Sequence, residues 1–245
     1  SKAQSEAAVQ AKPFAVGFRI EHPQALINSL QLGDDWAQKV NMGKGKIPVA
    51  DYRLATQIPY PVPPPGDLTS SLGKEWGDVA DRSEKRDCKK DGRPVYSFCM
   101  CPGGQVVCTS VLPDELCVNG MSFSKRQSSW ANSALVTSVD PDEDFMTPYI
   151  EEALSLPVGA HKAMAGLQFQ RAMEQEACIR GGGNLVAPVQ RATDFMDGRP
   201  STPGSDFPSS SYRLGVKPAA LHDLYPEPLT QALREALRAF DRRLP

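Results

Sequence analysis

Residues 94–113 read PVYSFCMCPGGQVVCTSVLP, twenty residues without a charge. That length would span a bilayer, but Pro102-Gly103-Gly104 sits near its centre and Pro94 and Pro113 bound it. A spanning helix must satisfy its own backbone hydrogen bonds, which such a break prevents. The stretch therefore predicts two buried strands around a tight turn. Working outward, strands are expected at 95–100, 105–111, 116–122 and 134–139, with Asn119-Gly120 marking a hairpin or a bulge. Upstream, residues 14–20 predict a strand closed by a turn at Glu21-His22-Pro23. A short helix over 24–32, ended by Gly33, and a returning strand within 49–58 follow. Downstream, Gly166, Phe169, Met173 and Ala177 share a helical face that Gly181-Gly182-Gly183 stops. Residues 186–196 fit strand or helix, and 197–211 a Pro/Ser/Gly loop. Leu229, Leu233, Ala236, Leu237 and Phe240 form an apolar helical stripe, with Glu235 and the arginines outside it. The expected fold class is α+β: a mostly antiparallel β region with a helical C-terminal part.

The 245 residues are 40% hydrophobic and carry 27 basic against 29 acidic side chains, a formal charge of −2. Such a balance provides no overall field to draw the chain onto nucleic acid or an anionic membrane. The 22 prolines and 19 glycines argue against an all-helical bundle. Five of the seven residues from Pro59 to Pro65 are proline, and thirteen of the twenty from Lys74 to Arg93 are charged. Few apolar side chains there offset the entropy of ordering, so a mobile insertion is expected. The chain then divides into a lead-in (1–13), a first β/α part (14–56), the Pro-rich charged insertion (57–93), a β-rich core (94–160) and a helical part (161–245). The N-terminus lacks the apolar segment of a secretory signal, and six cysteines are too few for a disulfide scaffold. A reducing, cytosol-like compartment is the expectation.

Nucleotide loops begin at Gly43-Lys44-Gly45 and at Gly181, but Pro48 and Val186 stand where the third glycine of a dinucleotide fingerprint belongs. Gly120-Met121-Ser122-Phe123-Ser124 nearly forms a nucleophile elbow, with His22, His161 and His222 as the available bases, but its last glycine is a serine. Asp140 to Asp144 lacks the glycine and terminal glutamate of an EF-hand. Cys99 and Cys101 at i, i+2 are expected to share one strand face. With Cys108, Cys117 and Cys88 they read as small buried residues, a redox dithiol or a zinc site. No second cysteine pair completes a zinc knuckle, so no metal is assigned. The Pro-Gly-Gly turn is more suggestive, since glycines admit close backbone approach and free amides bind an anion or a ring edge. The polar run 119–126 with Asn132-Ser133 reads equally as a loop and as the lining of a ligand cavity.

Several long words occur together in order: FAVGFRIEHPQ (14–24), VYSFCMCPGGQVV (95–107), VNGMSFSKR (118–126) and WANSALV (130–136), then AGLQFQRAMEQEA (165–177), GGGNLVAPVQRATDF (181–195), SYRLGVKPAALHDLYP (211–226) and ALRAFDRRLP (236–245). In this the chain resembles the uncharacterised FAD-dependent dehydrogenases of bacteria and plastids, flavoproteins of the two-dinucleotide-binding type. In that family a glycine-rich FAD loop precedes this region and a second flavin-binding segment follows it. Neither is in this sequence, and 57–93 is an extra insertion. The resemblance implies the middle, substrate or cap region of an FAD-dependent oxidoreductase, its redox chemistry carried by the flavin and inactive as this chain alone.

It also implies as partners the remaining FAD-binding part and a small-molecule substrate, without nucleic acid or a membrane span, in plastid stroma or bacterial-type cytoplasm. Expected to face flavin or substrate are Cys99, Met100, Cys101, Pro102, Gly103 and Gly104, then Asn119, Gly120, Met121, Ser122 and Arg126. Amides of the turn would stabilise negative charge, and Arg126 would hold a carboxylate. No catalytic acid or base is assigned, and Gly103→Val is expected to harm binding more than folding. The alternative reading is a non-catalytic interaction subunit of a larger assembly.

Overall fold

The computed structural model describes residues 11–40, 47–59, 92–157, 161–202, 204 and 207–242. In chain order the strands are β1 (Phe14–Pro23), β2 (Ala55–Ile58), β3 (Arg93–Cys101), β4 (Gly104–Cys108), β5 (Val118–Ser122), β6 (Trp130–Val139), β7 (Ala187–Val189) and β8 (Val216–Pro218). The helices are α1 (Gln24–Leu32), α2 (Trp36–Lys39), α3 (Thr147–Ser155), α4 (Ala165–Gly181), α5 (Ala192–Asp197) and α6 (Glu227–Asp241). The class is α+β with a C-terminal helix, and no helix among the described residues is long and apolar enough to cross a membrane. Two compact units interleave along the chain instead of succeeding one another. A sheet unit comprises 17–104, 122–137 and 227–245, and a helical unit comprises 1–16, 105–121 and 138–226.

In the sheet unit the strand order is β1-β6-β3-β2, with β3 antiparallel to both β2 and β6. One sheet face is apolar: Ile58, Val95 and Leu135 are buried, and α6 packs on β2 and β3 through Leu229, Leu233, Ala236 and Phe240. Glu235 departs from the expected stripe. It is buried rather than outside, and its carboxylate accepts from Arg238 one helical turn on. β1 runs through the expected turn at Glu21-His22-Pro23, because the fixed φ of Pro23 (−61°) suits extended backbone and places it directly before α1. Only 55–58 of the expected strand 49–58 forms, and β6 begins four residues earlier than expected.

The turn 102–103 separates two strands as predicted, but they are not a hairpin: β3 belongs to the four-stranded sheet, whereas β4 pairs with β5. Asn119-Gly120 lies inside β5. The fully buried Gln24 holds the turn from α1. Its Nε2 donates to Asn28 Oδ1 (2.9 Å) and the Ala50 carbonyl (2.8 Å), and its Oε1 accepts from the Gly103 amide at 2.7 Å. Gln24→Leu is expected to cost about 2–3 kcal/mol, because it strands a buried amide and a buried carbonyl. Chemical denaturation measures the loss, and an unchanged midpoint would refute it.

In the helical unit α4 packs on α3 and β7, and Phe169 sits at zero exposure among Phe14, Phe145 and Tyr149, with ring centroids 5.8, 6.1 and 5.0 Å away. α4 ends at Gly182, whose amide returns to the Cys178 and Ile179 carbonyls. A second cluster joins Val106, Leu116, Cys178, Ala187 and Tyr212 beside the parallel β7–β8 pair. The ambiguous stretch 186–196 resolves into β7 and α5. Residues 1–10, Gly43-Lys44-Gly45, Cys88 and most of the expected insertion lie outside the described residues. The margins of that insertion are ordered: Gln57 and Ile58 are in β2, and Arg93 opens β3 fully buried.

Candidate functional site

The β3–β6 register runs Val95↔Thr137 to Phe98↔Ala134, then resumes at Cys101↔Asn132. Three steps on β3 therefore oppose two on β6, and the extra residue is a β-bulge with Cys99 at φ +71°. The bulge breaks the alternation on which the cysteine expectation rested. Cys99 is exposed and Cys101 buried, yet the two side chains still interact, the Cys99 thiol adding to the upward shift that burial gives Cys101. It also turns the Cys99 carbonyl to a partner the sequence pattern did not single out. Arg19 on β1 donates from Nη2 to that carbonyl at 2.8 Å and to Cys101 Sγ at 3.3 Å. Its Nε donates to Asn132 Oδ1 at 2.7 Å.

Two properties of this cluster stand out physically. The Arg19 bond assigns the Asn132 carbonyl oxygen, which fixes its Nδ2 as the remaining donor. That Nδ2 is buried without a hydrogen-bond partner, and Asn132 itself has zero exposure. Secondly, each acceptor of the Arg19 guanidinium is neutral, and no carboxylate among the described residues pairs with it. Burial pushes the Cys101 thiol above its ordinary pKa, while the Arg19 charge pulls the other way. Cys101 is therefore a neutral thiol, donating to the Cys99 carbonyl at 3.3 Å.

Ser133 follows Asn132 on β6, so its side chain leaves the opposite face of the strand. There Tyr52 Oη lies 2.7 Å from Ser133 Oγ and 3.0 Å from His22 Nε2. Burial lowers the His22 pKa despite the Pro23 carbonyl, and burial raises that of Tyr52 against Ser133 and Arg19. A neutral imidazole and two hydroxyls can pass a proton without fixing a charge.

The Pro-Gly-Gly corner is buried. The Gly103 amide is taken by Gln24, its carbonyl accepts from Ser128 N at 3.2 Å, and Ser122 Oγ donates to the Pro102 carbonyl at 3.3 Å. Pro102 has no N–H and the Gly103 amide is taken, so neither is left to the expected anion role. The close approach that the glycine permits is made by the chain itself: a Cβ on Gly103 would stand 2.1 Å from the Arg126 carbonyl oxygen. Arg126 is exposed at φ +46°, and its backbone walls the turn. Met100 is half-buried next to the bulge. Asn119, Gly120 and Met121 belong to β5 of the helical unit, where Asn119 Oδ1 accepts from the Gly120 amide and Met121 is 51% exposed. The sheet unit thus joins Cys99 and Cys101 to Arg19, which the sequence did not single out, and to Asn132, which it named with Ser133 beside the polar run. Among the described residues no group of three His, Cys, Asp or Glu is placed to hold a metal ion.

Comparison with known proteins gives two findings. A family model described as "FAD-dependent protein, C-terminal domain-like" matches residues 13–60 and 79–245. It passes over 61–78, inside the stretch the sequence sets apart as an insertion. An uncharacterized protein of Clostridium beijerinckii is 38% identical over 237 residues, covering 96% of this chain and 35% of its own length. The chain thus spans about a third of the length of the curated relative it matches.

Proposed function

Because the chain belongs to the "FAD-dependent protein, C-terminal domain-like" family, we propose that it is the substrate-side region of an FAD-dependent oxidoreductase whose nucleotide-binding segments lie elsewhere in the full protein. The observation in the fold that carries this reading is the buried, unpartnered Nδ2 of Asn132. Buried amide donors are almost always satisfied, and an acceptor-rich ring edge or a substrate oxygen suits this one. The residues present fit that end of FAD and not its pyrophosphate, since the glycine loops of the chain are incomplete. FAD, when bound, supplies the electron or hydride transfer.

The chain's own part is positioning. Arg19 fixes the Asn132 amide and the bulge carbonyl together and also donates to Cys101 Sγ, and Phe98, next to the bulge on β3, is exposed. On the other strand face the Tyr52 hydroxyl, held between His22 and Ser133, stores a proton. The test is to purify the full-length protein and identify its released chromophore. About one FAD per chain supports the reading. A colourless protein that takes up no FAD on reconstitution overturns it.

A further inference from the structure

We propose that Arg19 and Asn132 form a carboxylate-recognition subsite, so that the small molecule this region handles is an organic anion. As a substrate subsite the proposal rests on the flavoprotein reading, but the geometry behind it is independent. A partly buried cation ordinarily has a counter-charge, because removal from water is otherwise uncompensated. Arg19 lies at intermediate exposure on β1, and its partners are an amide oxygen, a carbonyl and a thiol. Its Nη1 has no partner among the described residues. Asn132 adds a second unfilled donor on the same cluster, oriented by the bond from Arg19 Nε.

A buried unfilled amide donor beside one uncompensated positive charge matches the acceptor chemistry and charge of a carboxylate. The alkyl or aryl remainder of such a ligand would find Phe98, an aromatic ring 61% exposed on β3 opposite Ala134. Arg126, expected from sequence to perform this role, is a less suitable candidate. It is exposed, so water competes for the guanidinium and ion pairs contribute little.

The test uses the full-length protein, with acetate and benzoate as probes and acetamide and benzamide as their neutral counterparts. Binding is read by calorimetry at constant ionic strength. Each carboxylate is expected to bind saturably and at least about tenfold more tightly than its amide. Arg19→Gln is expected to erase that preference. Asn132→Asp, which supplies a carboxylate against Arg19 from within the chain, is expected to erase it too while leaving the melting temperature unchanged or higher. Equal affinity for acid and amide in the unmodified protein overturns the subsite even if Arg19→Gln does not fold. A preference that survives either substitution also overturns it, as does the absence of saturable carboxylate binding. If Arg19→Gln spares the carboxylate preference and instead lowers the flavin midpoint potential, the cation serves the reduced flavin, which equally overturns a substrate role. The two readings fail separately. Carboxylate preference in a protein that takes up no FAD removes the flavin and keeps the subsite, whereas FAD uptake without that preference does the reverse.

Discussion

Gly103→Val is expected to lower the unfolding free energy by about 4–5 kcal/mol. Gly103 has φ +57°, where an L-residue with a branched side chain is strained by about 1–2 kcal/mol. The added Cβ would also stand 2.1 Å from the Arg126 carbonyl oxygen, 2.3 Å from its carbonyl carbon and 2.8 Å from its Cα. Those are backbone atoms, so relief requires moving the 123–128 turn, and overpacking of this kind costs about 1–3 kcal/mol. Displacing the corner also weakens the buried bond from the Gly103 amide to Gln24, about 1 kcal/mol more. For a chain of this length the melting temperature should fall by about 10–15 °C. Gly183→Ala is the control. Its φ of +80° carries similar strain, but nothing lies within 4 Å of the added atom, so only about 1 kcal/mol is expected. Equal losses in the two variants would mean that the clash at 103 is relieved without cost. This geometry reverses the expectation drawn from sequence, that Gly103→Val would harm binding more than folding.

Phe169→Ala is expected to cost about 4 kcal/mol, within the 3–5 kcal/mol usual for emptying a buried aromatic site. The ring has zero exposure and meets three other aromatic rings, Tyr149 edge-on at 80°. Its loss removes both apolar burial and the ring–ring contacts of Phe14, Phe145 and Tyr149. Phe169→Leu keeps most of the volume and should cost about 1–2 kcal/mol. Denaturant midpoints at equal slope separate the two substitutions. A loss below about 1 kcal/mol for Phe169→Ala would place the ring outside any cooperative core.

How much of this was legible beforehand depended on whether the cause was local. The break at Pro102-Gly103, the stop of α1 at Gly33 and the stripe of α6 are set by nearest neighbours, and each appears where its pattern put it. What escaped was non-local. Asn132 and Ser133 read equally as loop and as cavity lining; what the sequence did not show is that both are buried within β6, where Arg19 and Tyr52 receive them across 113 and 81 residues of chain. The bulge at Cys99 is invisible to a period-two pattern, since its effect is to interrupt that period. A single basic side chain inside the apolar run FAVGFRI was the available hint of Arg19. It names no partner without the fold. Glu235 failed for the same reason in reverse: a lone carboxylate on an amphipathic helix looks solvated until Arg238 is seen folded over it.

The interleaving of the two units carries a consequence for biogenesis. The chain passes from one to the other five times, after Val16, Gly104, Met121, Thr137 and Pro226. In the sheet that bears Arg19 and Asn132, β2 and β3 are covered by α6, a helix that begins at Glu227, well after β6 ends at Val139. On the ribosome, β2 and β3 therefore stay uncovered on that side until α6 emerges, an apolar exposure of the kind that favours aggregation during synthesis. Nor does any one crossover point in the gene separate the units intact, so exchange between relatives would have to transfer the whole region as a block.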